Sequence, residues 1–306
     1  MKDQFFEGDV DHPPLPVGDV LAPGYSILGH LHQSNNFDVY DVFSEERACR
    51  CIAKTPRQDL LESEDVASRL LREGGLLEGL THPHVARLYE VVEGPPPVLI
   101  LETLTGETLA HLIDASLRRL PIREISHLGL HLCSAIHYLH GRGILHLDLK
   151  PSNIVSERGM SKILDLSIAQ PPGPARKGAG TTQYMAPEQI RGDLAGPATD
   201  VWGIGAVLFE AATAEPPFNA EYEETGYEED TGLTDGSGTD DQTTTGGTGT
   251  EDGPETYEQL TRRVEPVRVH RRVPAAFARL IEACLEPDPA RRPTVAELSK
   301  ALKTFT

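Results

Sequence analysis

Short apolar runs separated by polar turns dominate the first third of the chain. Three of them lie between Tyr25 and Thr55 and read YSILGHL, FDVYDVF and ACRCIAK. This pattern predicts an antiparallel meander. A helix is predicted from about Glu62 to Leu80, where four leucines recur on one side, and two more strands are predicted at ARLYEVV and PVLILE.

The pattern changes to a helical one after Gly106. Apolar residues recur at spacings of three and four from Ile125 to Leu139, and the sequence GRG ends this run. Helical patterns return at Glu258 and in AAFARLIEACL. Strands followed by helices predict an α+β protein with a small antiparallel β lobe, over 23–102, that carries one helix, and a larger α-helical lobe over 103–306.

Two segments fit neither lobe. Residues 1–22 are rich in proline and show little periodicity, so we expect an extended N-terminal segment. Residues 219–256 are rich in Gly, Thr and acidic residues and nearly free of residues that could fill a core. Ordering them would cost backbone entropy with little burial in return, which predicts a disordered insert. An acidic docking segment for a regulatory partner is the alternative.

Charge and composition narrow the class of protein. Of the net charge of −19, fourteen acidic residues and no Lys or Arg lie between 215 and 258, which leaves about −5 for the rest. This balance argues against nucleic-acid binding. No apolar run is long enough to span a bilayer and no signal peptide is recognisable, so we expect a soluble, cytoplasmic protein with four reduced cysteines.

The sequence HLDLKPSNIV, from His146 to Val155, carries the candidate chemistry. Transfer of a γ-phosphoryl group needs a carboxylate to orient the acceptor hydroxyl, cations to neutralise phosphate charge and oxygen ligands for Mg²⁺. Asp148, Lys150 and Asn153 supply one of each within six residues.

Further motifs accompany this loop in a definite order. Lys54 ends the apolar run CIAK, Glu73 lies on the following predicted helix, and Asp165 follows the loop in ILDLS. The sequences YMAPEQ, DVWGIGAVLFE and PDPARRPT come later. Together these motifs resemble the eukaryotic-like serine/threonine protein kinases of bacteria, over about Gly24 to Leu302 apart from the insert.

The resemblance implies a two-lobed kinase fold, ATP and Mg²⁺ as cofactors, and a protein substrate that carries Ser or Thr. By this resemblance Lys54 would hold the α- and β-phosphates and pair with Glu73, and Asp148 would be the catalytic base. Lys150 would steady the γ-phosphate. A lysine at this position resembles the serine/threonine branch of the family rather than the tyrosine branch. The Mg²⁺ ligands implied by the resemblance are Asn153 and Asp165.

The same resemblance implies a nucleotide pocket around the hinge, Leu101 to Leu104. Backbone groups of Glu102 and Leu104 would contact adenine, and Leu101 would lie behind it. The remaining pocket residues would be Val39, Ala53 and, in the phosphate-covering turn, Ser34. Glu188 is expected to form a buried ion pair with Arg292.

Two departures from the kinase pattern affect these expectations. His32, Ser34 and Phe37 stand where the phosphate-covering turn of kinases has glycines, so strain of about 1–3 kcal/mol per site and weak nucleotide affinity, or a reshaped turn, are expected. Leu166 and Ser167 follow Asp165 in place of Phe and Gly, which retains the metal-binding carboxylate.

The third departure is Leu147, which replaces an arginine that grips a phosphorylated activation segment in the family. We therefore expect the segment from Asp165 to Glu188 to be competent without phosphorylation, with Thr181 forming part of the substrate floor. A pseudokinase that serves as a signalling scaffold is the rival hypothesis, and a small-molecule kinase is a third.

Overall fold

The computed structural model describes residues 12–115, 119–218 and 257–306. Its small lobe is a six-stranded antiparallel sheet in the order β1-β2-β3-β4-β6-β5. The strands are β1 Val20–Ala22, β2 Tyr25–Gln33, β3 Phe37–Ser44, β4 Cys49–Pro56, β5 Leu88–Val92 and β6 Val98–Glu102.

The register of β3, β4 and β6 assigns a face to each side chain. Lys54 pairs with Val39 on one side and with Leu99 on the other, and Ile52 pairs with Leu101. Because directly paired residues project to the same face of a sheet, these five share what we call the cleft face. The opposite, outer face has its own apolar core, which includes Tyr40, Ala53 and Ile100.

Helix α1, Glu64–Glu78, packs against the cleft face. Ser63 is its N-cap and accepts a hydrogen bond from Val66 N, and two acidic residues lie in its first turn, where they suit the helix dipole. Val66 and Leu70 form a small core with Phe37 and Leu99. This packing sets the position of Glu73, which lies one turn further along the helix.

The large lobe is helical and built around α5, which is apolar on nearly all sides and buried along most of its length. The main core surrounds it. The helices are α2 Leu109–Ala115, α3 Ile122–His140, α4 Pro187–Arg191, α5 Pro197–Thr213, α6 Val267–His270, α7 Ala275–Cys284 and α8 Val295–Leu302. The short strands are β7 Glu107–Thr108, β8 Ile154–Glu157, β9 Met160–Ile163, β10 Gly173–Pro174 and β11 Leu194–Ala195.

The expectation of an α+β, two-lobed fold is confirmed, and the predicted meander, the helix carrying Glu73 and the strands after it are all present. Two details differ. Residues 20–22 belong to the sheet as β1, where the sequence predicted an extended segment to residue 22. Where the sequence predicted a helix to resume at Glu258, the chain forms a short 3-10 turn, Glu258–Leu260, before α6. The expected insert at 219–256 lies outside the described residues.

None of the helices within the described ranges is both long and apolar enough to cross a membrane.

Candidate active site

The loop from His146 to Asn153 is held in place by the first turn of α5. The carboxylate of Asp200, which is 1% exposed, accepts hydrogen bonds from His146 N at 3.0 Å and from Leu147 N at 2.8 Å. Leu147 has a φ of 69°, a conformation that costs a non-glycine residue about 1–3 kcal/mol. The buried Asp200 thus compensates for a strained backbone directly before Asp148.

Asp148 is surrounded by donors. Asn153 Nδ2 donates to its Oδ2 at 2.9 Å, and the hydroxyl of Thr181 donates to its Oδ1 at 2.9 Å. Lys150 Nζ lies 3.0 Å from Oδ2 and donates to Thr181 Oγ1 at 2.7 Å. The loop and the activation segment therefore share one network of charged and polar groups around a single carboxylate.

Lys54 connects the two lobes. Its Nζ donates to Glu73 Oε2 at 2.8 Å and to Asp165 Oδ1 at 2.9 Å. Burial would by itself lower the pKa of Lys54, but the two carboxylates outweigh it and raise that pKa. The pKa of Asp165 is lowered because Lys54 and the backbone N–H of Ser167 overcome the effect of its burial. The ammonium and the carboxylate are thus both charged at neutral pH.

Asn153 and Asp165 suit a magnesium ion. Mg²⁺ prefers hard oxygen ligands, including carboxylates. Asn153 uses its Nδ2 to bind Asp148, and Asp165 uses its Oδ1 to bind Lys54 and Ser167 N. The hydrogen bonds of these side chains to Asp148, Lys54 and Ser167 N leave Asn153 Oδ1 and Asp165 Oδ2 for a metal.

The adenine side of the cleft requires one correction. Ala53 was expected to cap adenine, but it lies on the outer face, fully buried and paired with Tyr40 and Ile100. Strand alternation places Ile52, two residues before Lys54, on the cleft face instead. The expectation for Ala53 is therefore wrong, and Ile52 occupies that place.

The other expected pocket residues lie around the hinge or on the cleft face. Val39 and Leu101 are half-buried on the cleft face. The carboxylate of Glu102 accepts hydrogen bonds from Arg87 N and from Lys162 Nζ. Leu104 lies just beyond β6, and no described hydrogen bond uses its backbone.

Ser34 forms its hydrogen bonds within the turn between β2 and β3. Its Oγ accepts a hydrogen bond from Phe37 N at 3.0 Å, and its own N–H donates to Phe37 O at 2.8 Å. No residue from 32 to 37 has a positive φ. Hydrogen bonds between Ser34 and Phe37 thus hold the turn, and none of the residues at the missing glycine positions adopts the positive φ from which strain was expected.

Leu147 packs into an apolar cluster. It is 9% exposed and lies with Leu145, Ala195 and the partly buried Ile168 and Ala175. These residues come from the loop, from β11 and from the activation segment. A cavity of about 240 Å³ next to this cluster is lined mainly by apolar residues, with Arg72 and Arg176 among the others.

The expected ion pair between Glu188 and Arg292 is present. Arg292 NH1 lies 2.6 Å from Glu188 Oε1 and NH2 lies 2.8 Å from Oε2, with both side chains buried. Thr199 donates to the same carboxylate at 2.9 Å. This bidentate pair anchors the end of the activation segment to the large lobe.

Two histidines four residues apart on α3, His127 and His131, could in principle have bound a metal. His131 instead stacks on His84 with ring centroids 4.2 Å apart and accepts a hydrogen bond from Ser161 N. Within the described ranges, no group of three or more His, Cys, Asp or Glu is arranged to hold a metal ion.

Sequence reasoning missed two residues of the site. Asp200 lies in the first turn of α5, where an acidic residue is common because it suits the helix dipole, so its position in the sequence does not reveal its contact with the loop before Asp148. Ile52 shares the face of Lys54 because residues two apart in a strand project to the same side, whereas Ala53, next to Lys54, projects to the other side.

Comparisons with known proteins agree with this geometry. Residues 26–302 match the family model described as the protein kinase domain. Serine/threonine-protein kinase PknB of Mycobacterium tuberculosis is 33% identical over 219 residues, which cover 67% of this chain and 33% of that protein. PknB of Mycobacterium leprae is 30% identical over 215 residues, 66% of this chain and 33% of that protein.

A probable serine/threonine-protein kinase of Streptomyces coelicolor is 29% identical over 211 residues, 65% of this chain and 31% of that protein. The chain thus spans about a third of the length of these relatives. The family match covers most of the chain and includes both lobes and every motif around Asp148, and the chain therefore belongs to the protein kinase family.

Proposed function

We propose that this chain is an ATP- and Mg²⁺-dependent serine/threonine protein kinase that needs no phosphorylation of its activation segment. The observation that carries the proposal is Lys54, which contacts Glu73 and Asp165 at once. This triad joins the small lobe, its helix and the metal-binding segment in one charged network. The names of the relatives support serine or threonine as the acceptor.

In this reaction MgATP supplies the γ-phosphoryl group, which passes to the hydroxyl oxygen of the protein substrate as the bond to the leaving ADP oxygen breaks. Asp148 orients that hydroxyl and accepts its proton. Lys150 and Lys54 neutralise phosphate charge, and Asn153 and Asp165 would hold the metal. The chain's contribution is positioning and charge neutralisation, with no covalent intermediate.

The apolar cluster around Leu147 supports independence from phosphorylation. An arginine at this position would need a phosphate or another anion as partner, whereas Leu147 buries its side chain against Ile168 and Ala175 of the activation segment. Arg72 holds the same segment by donating to Ser167 O at 3.2 Å. Hydrophobic contacts thus replace the ionic contact that phosphorylation would create.

The test is intact-mass analysis after incubation with MgATP and a protein or peptide substrate. Phosphatase-treated wild type should add phosphate to the substrate, whereas Asp148→Asn should be slower by about 10²–10⁴ because the proton acceptor is lost. Nucleotide binding by that variant should be retained, which shows that it is folded. Dependence of wild-type activity on phosphate at Thr181 or Thr182 would contradict the proposal.

A non-catalytic pseudokinase is the second candidate. The observation in its favour is the glycine-poor turn, which uses the N–H groups of Ser34 and Phe37 internally. Failure of the wild type to bind ATP and Mg²⁺ in a thermal-shift assay would favour this scaffold role. We also propose that a regulatory partner binds the acidic segment 219–256, which is compatible with an active kinase and with a pseudokinase.

A further inference from the structure

The turn between β2 and β3 uses two of its backbone N–H groups within the turn itself. Ser34 N donates to Phe37 O, and Phe37 N donates to Ser34 Oγ. Asn36 O accepts a hydrogen bond from Arg57 N at 3.0 Å. Glycine-rich turns bind phosphate through free N–H groups that approach it closely. Two donors of this turn are used internally, so the turn has fewer N–H groups for a phosphate, and a side chain on the cleft face can supply another donor.

Among the three residues at glycine positions, only His32 is available. The side chain of Ser34 closes the turn, and Phe37 is buried against α1. His32 pairs in register with Val39, which places it on the cleft face with Lys54. Its side chain is partly exposed, and no described hydrogen bond or ion pair engages its ring.

Charged groups of the cleft act on the pKa of His32. Partial burial lowers its pKa, and so do the neighbouring His30 and Lys150, while Asp165 and Asp38 act in the opposite direction. His32 thus lies close enough to feel the groups that would surround the phosphates. An anion placed between it and the lysines would favour the imidazolium form.

We propose that His32 is a phosphate-binding residue of the cleft and that its ring N–H donates to the phosphate chain of the nucleotide in place of the donors Ser34 N and Phe37 N. This inference rests on the proposed function, because it assumes that a nucleoside di- or triphosphate enters the cleft. It concerns positioning and affinity and assigns no proton transfer to His32.

His30 provides a matched control two residues away. Its register partner is Tyr40, on the outer face, and its Nε2 lies 2.9 Å from Asp38 Oδ1. It therefore shares the residue type, the strand and the proximity to the turn, but it lies on the opposite face from the nucleotide. Any effect of histidine loss on the turn itself should appear in both variants.

Calorimetric titrations with MgADP and with adenosine test the inference on wild type, His32→Ala and His30→Ala. Loss of a hydrogen bond to a charged group predicts that His32→Ala weakens MgADP binding roughly tenfold or more. Adenosine, which has no phosphate, should bind wild type and His32→Ala equally. His30→Ala should bind MgADP as the wild type does.

A second readout is the proton NMR titration of His32, assigned by comparison with His32→Ala. Its pKa should rise when MgADP is added. Wild type and His32→Ala that bind MgADP equally would overturn the inference and leave the proposed function intact. A wild type that binds adenosine but shows no preference for MgADP would overturn it as well, and one that binds neither ligand would overturn both.

Discussion

Leu147 and Asp165 both adopt left-handed backbone conformations, with φ of 69° and 55°. Each of these costs a non-glycine residue about 1–3 kcal/mol. Buried partners hold them there: Asp200 accepts from Leu147 N, and Lys54 binds Asp165. These conformations lie at Asp165 itself and directly before Asp148, the residues for which we propose the metal-binding and catalytic roles.

At the same scale, the pair between Glu188 and Arg292 predicts a large effect on stability. Arg292→Met should lower the free energy of unfolding by about 3–5 kcal/mol, because it leaves the buried Glu188 carboxylate without its partner. Chemical denaturation followed by circular dichroism measures the change. Arg291→Met is the matched control, since that side chain is 62% exposed and should change little. Equal effects of the two variants would contradict a structural role for the pair.

At the scale of elements, helix α1 approaches the sheet closely at one glycine. A Cβ atom on Gly74 would lie 2.8 Å from Leu99 Cδ2 and 2.9 Å from Val91 Cγ2, whereas a Cβ on its neighbour Gly75 would meet nothing within 4 Å. The distance between helix and sheet therefore depends on the missing side chain of Gly74. Since Glu73 precedes it, this distance also sets the contact with Lys54.

Two adjacent alanine substitutions should consequently have opposite effects. Gly74→Ala should destabilise the protein by about 1–3 kcal/mol through overpacking and should reduce phosphotransfer, because α1 must move outward with Glu73. Gly75→Ala should stabilise it by up to about 1 kcal/mol through helix propensity alone. Thermal unfolding and the substrate assay measure both effects. Two substitutions that changed stability in the same direction would show that the packing argument is incorrect.

At the scale of the whole molecule, a group of histidines links the two lobes. His84, in the connection between α1 and β5, stacks on His131 of α3 and lies 2.8 Å from Ser161 O, while Ser161 N donates to His131. Burial, together with the charges of His84 and His127, lowers the pKa of His131 to about 4. The neutral ring is therefore part of the contact between small and large lobe.

This contact predicts acid sensitivity. In the unfolded chain His131 would have a pKa near 6.5, so between pH 6.5 and about 4 the unfolded state binds the proton more readily and stability falls as pH falls. His131→Asn retains an acceptor for Ser161 N without a titrating ring and should lose less stability over this window. Unfolding midpoints from pH 7 to 4 test this, with the exposed His137 of the same helix, changed to Asn, as control. A wild-type pH profile unchanged in His131→Asn would rule out the linkage.

Much of this molecule could be predicted from its sequence, because the relevant signals are local. Residue type and motif order, through the resemblance to protein kinases, singled out Lys54, Asp148 and Asp165 as candidates, since phosphoryl transfer requires cations and carboxylates of these kinds. The periods of apolar residues predicted the meander and the long helix α3. Such signals depend on neighbours within a few residues along the chain.

Only the tertiary structure decided which face each residue occupies and which distant groups meet it. Two irregularities in the register of β2, between Ile27 and Gly29 and between His30 and His32, turn His30 to the outer face, which simple alternation from Ile27 does not predict, and leave His32 on the cleft face. The apolar surroundings of Leu147 likewise come from segments distant in sequence. Sequence alone determined the chemistry available, whereas long-range packing and register decided its placement, because these depend on contacts between residues far apart in the chain.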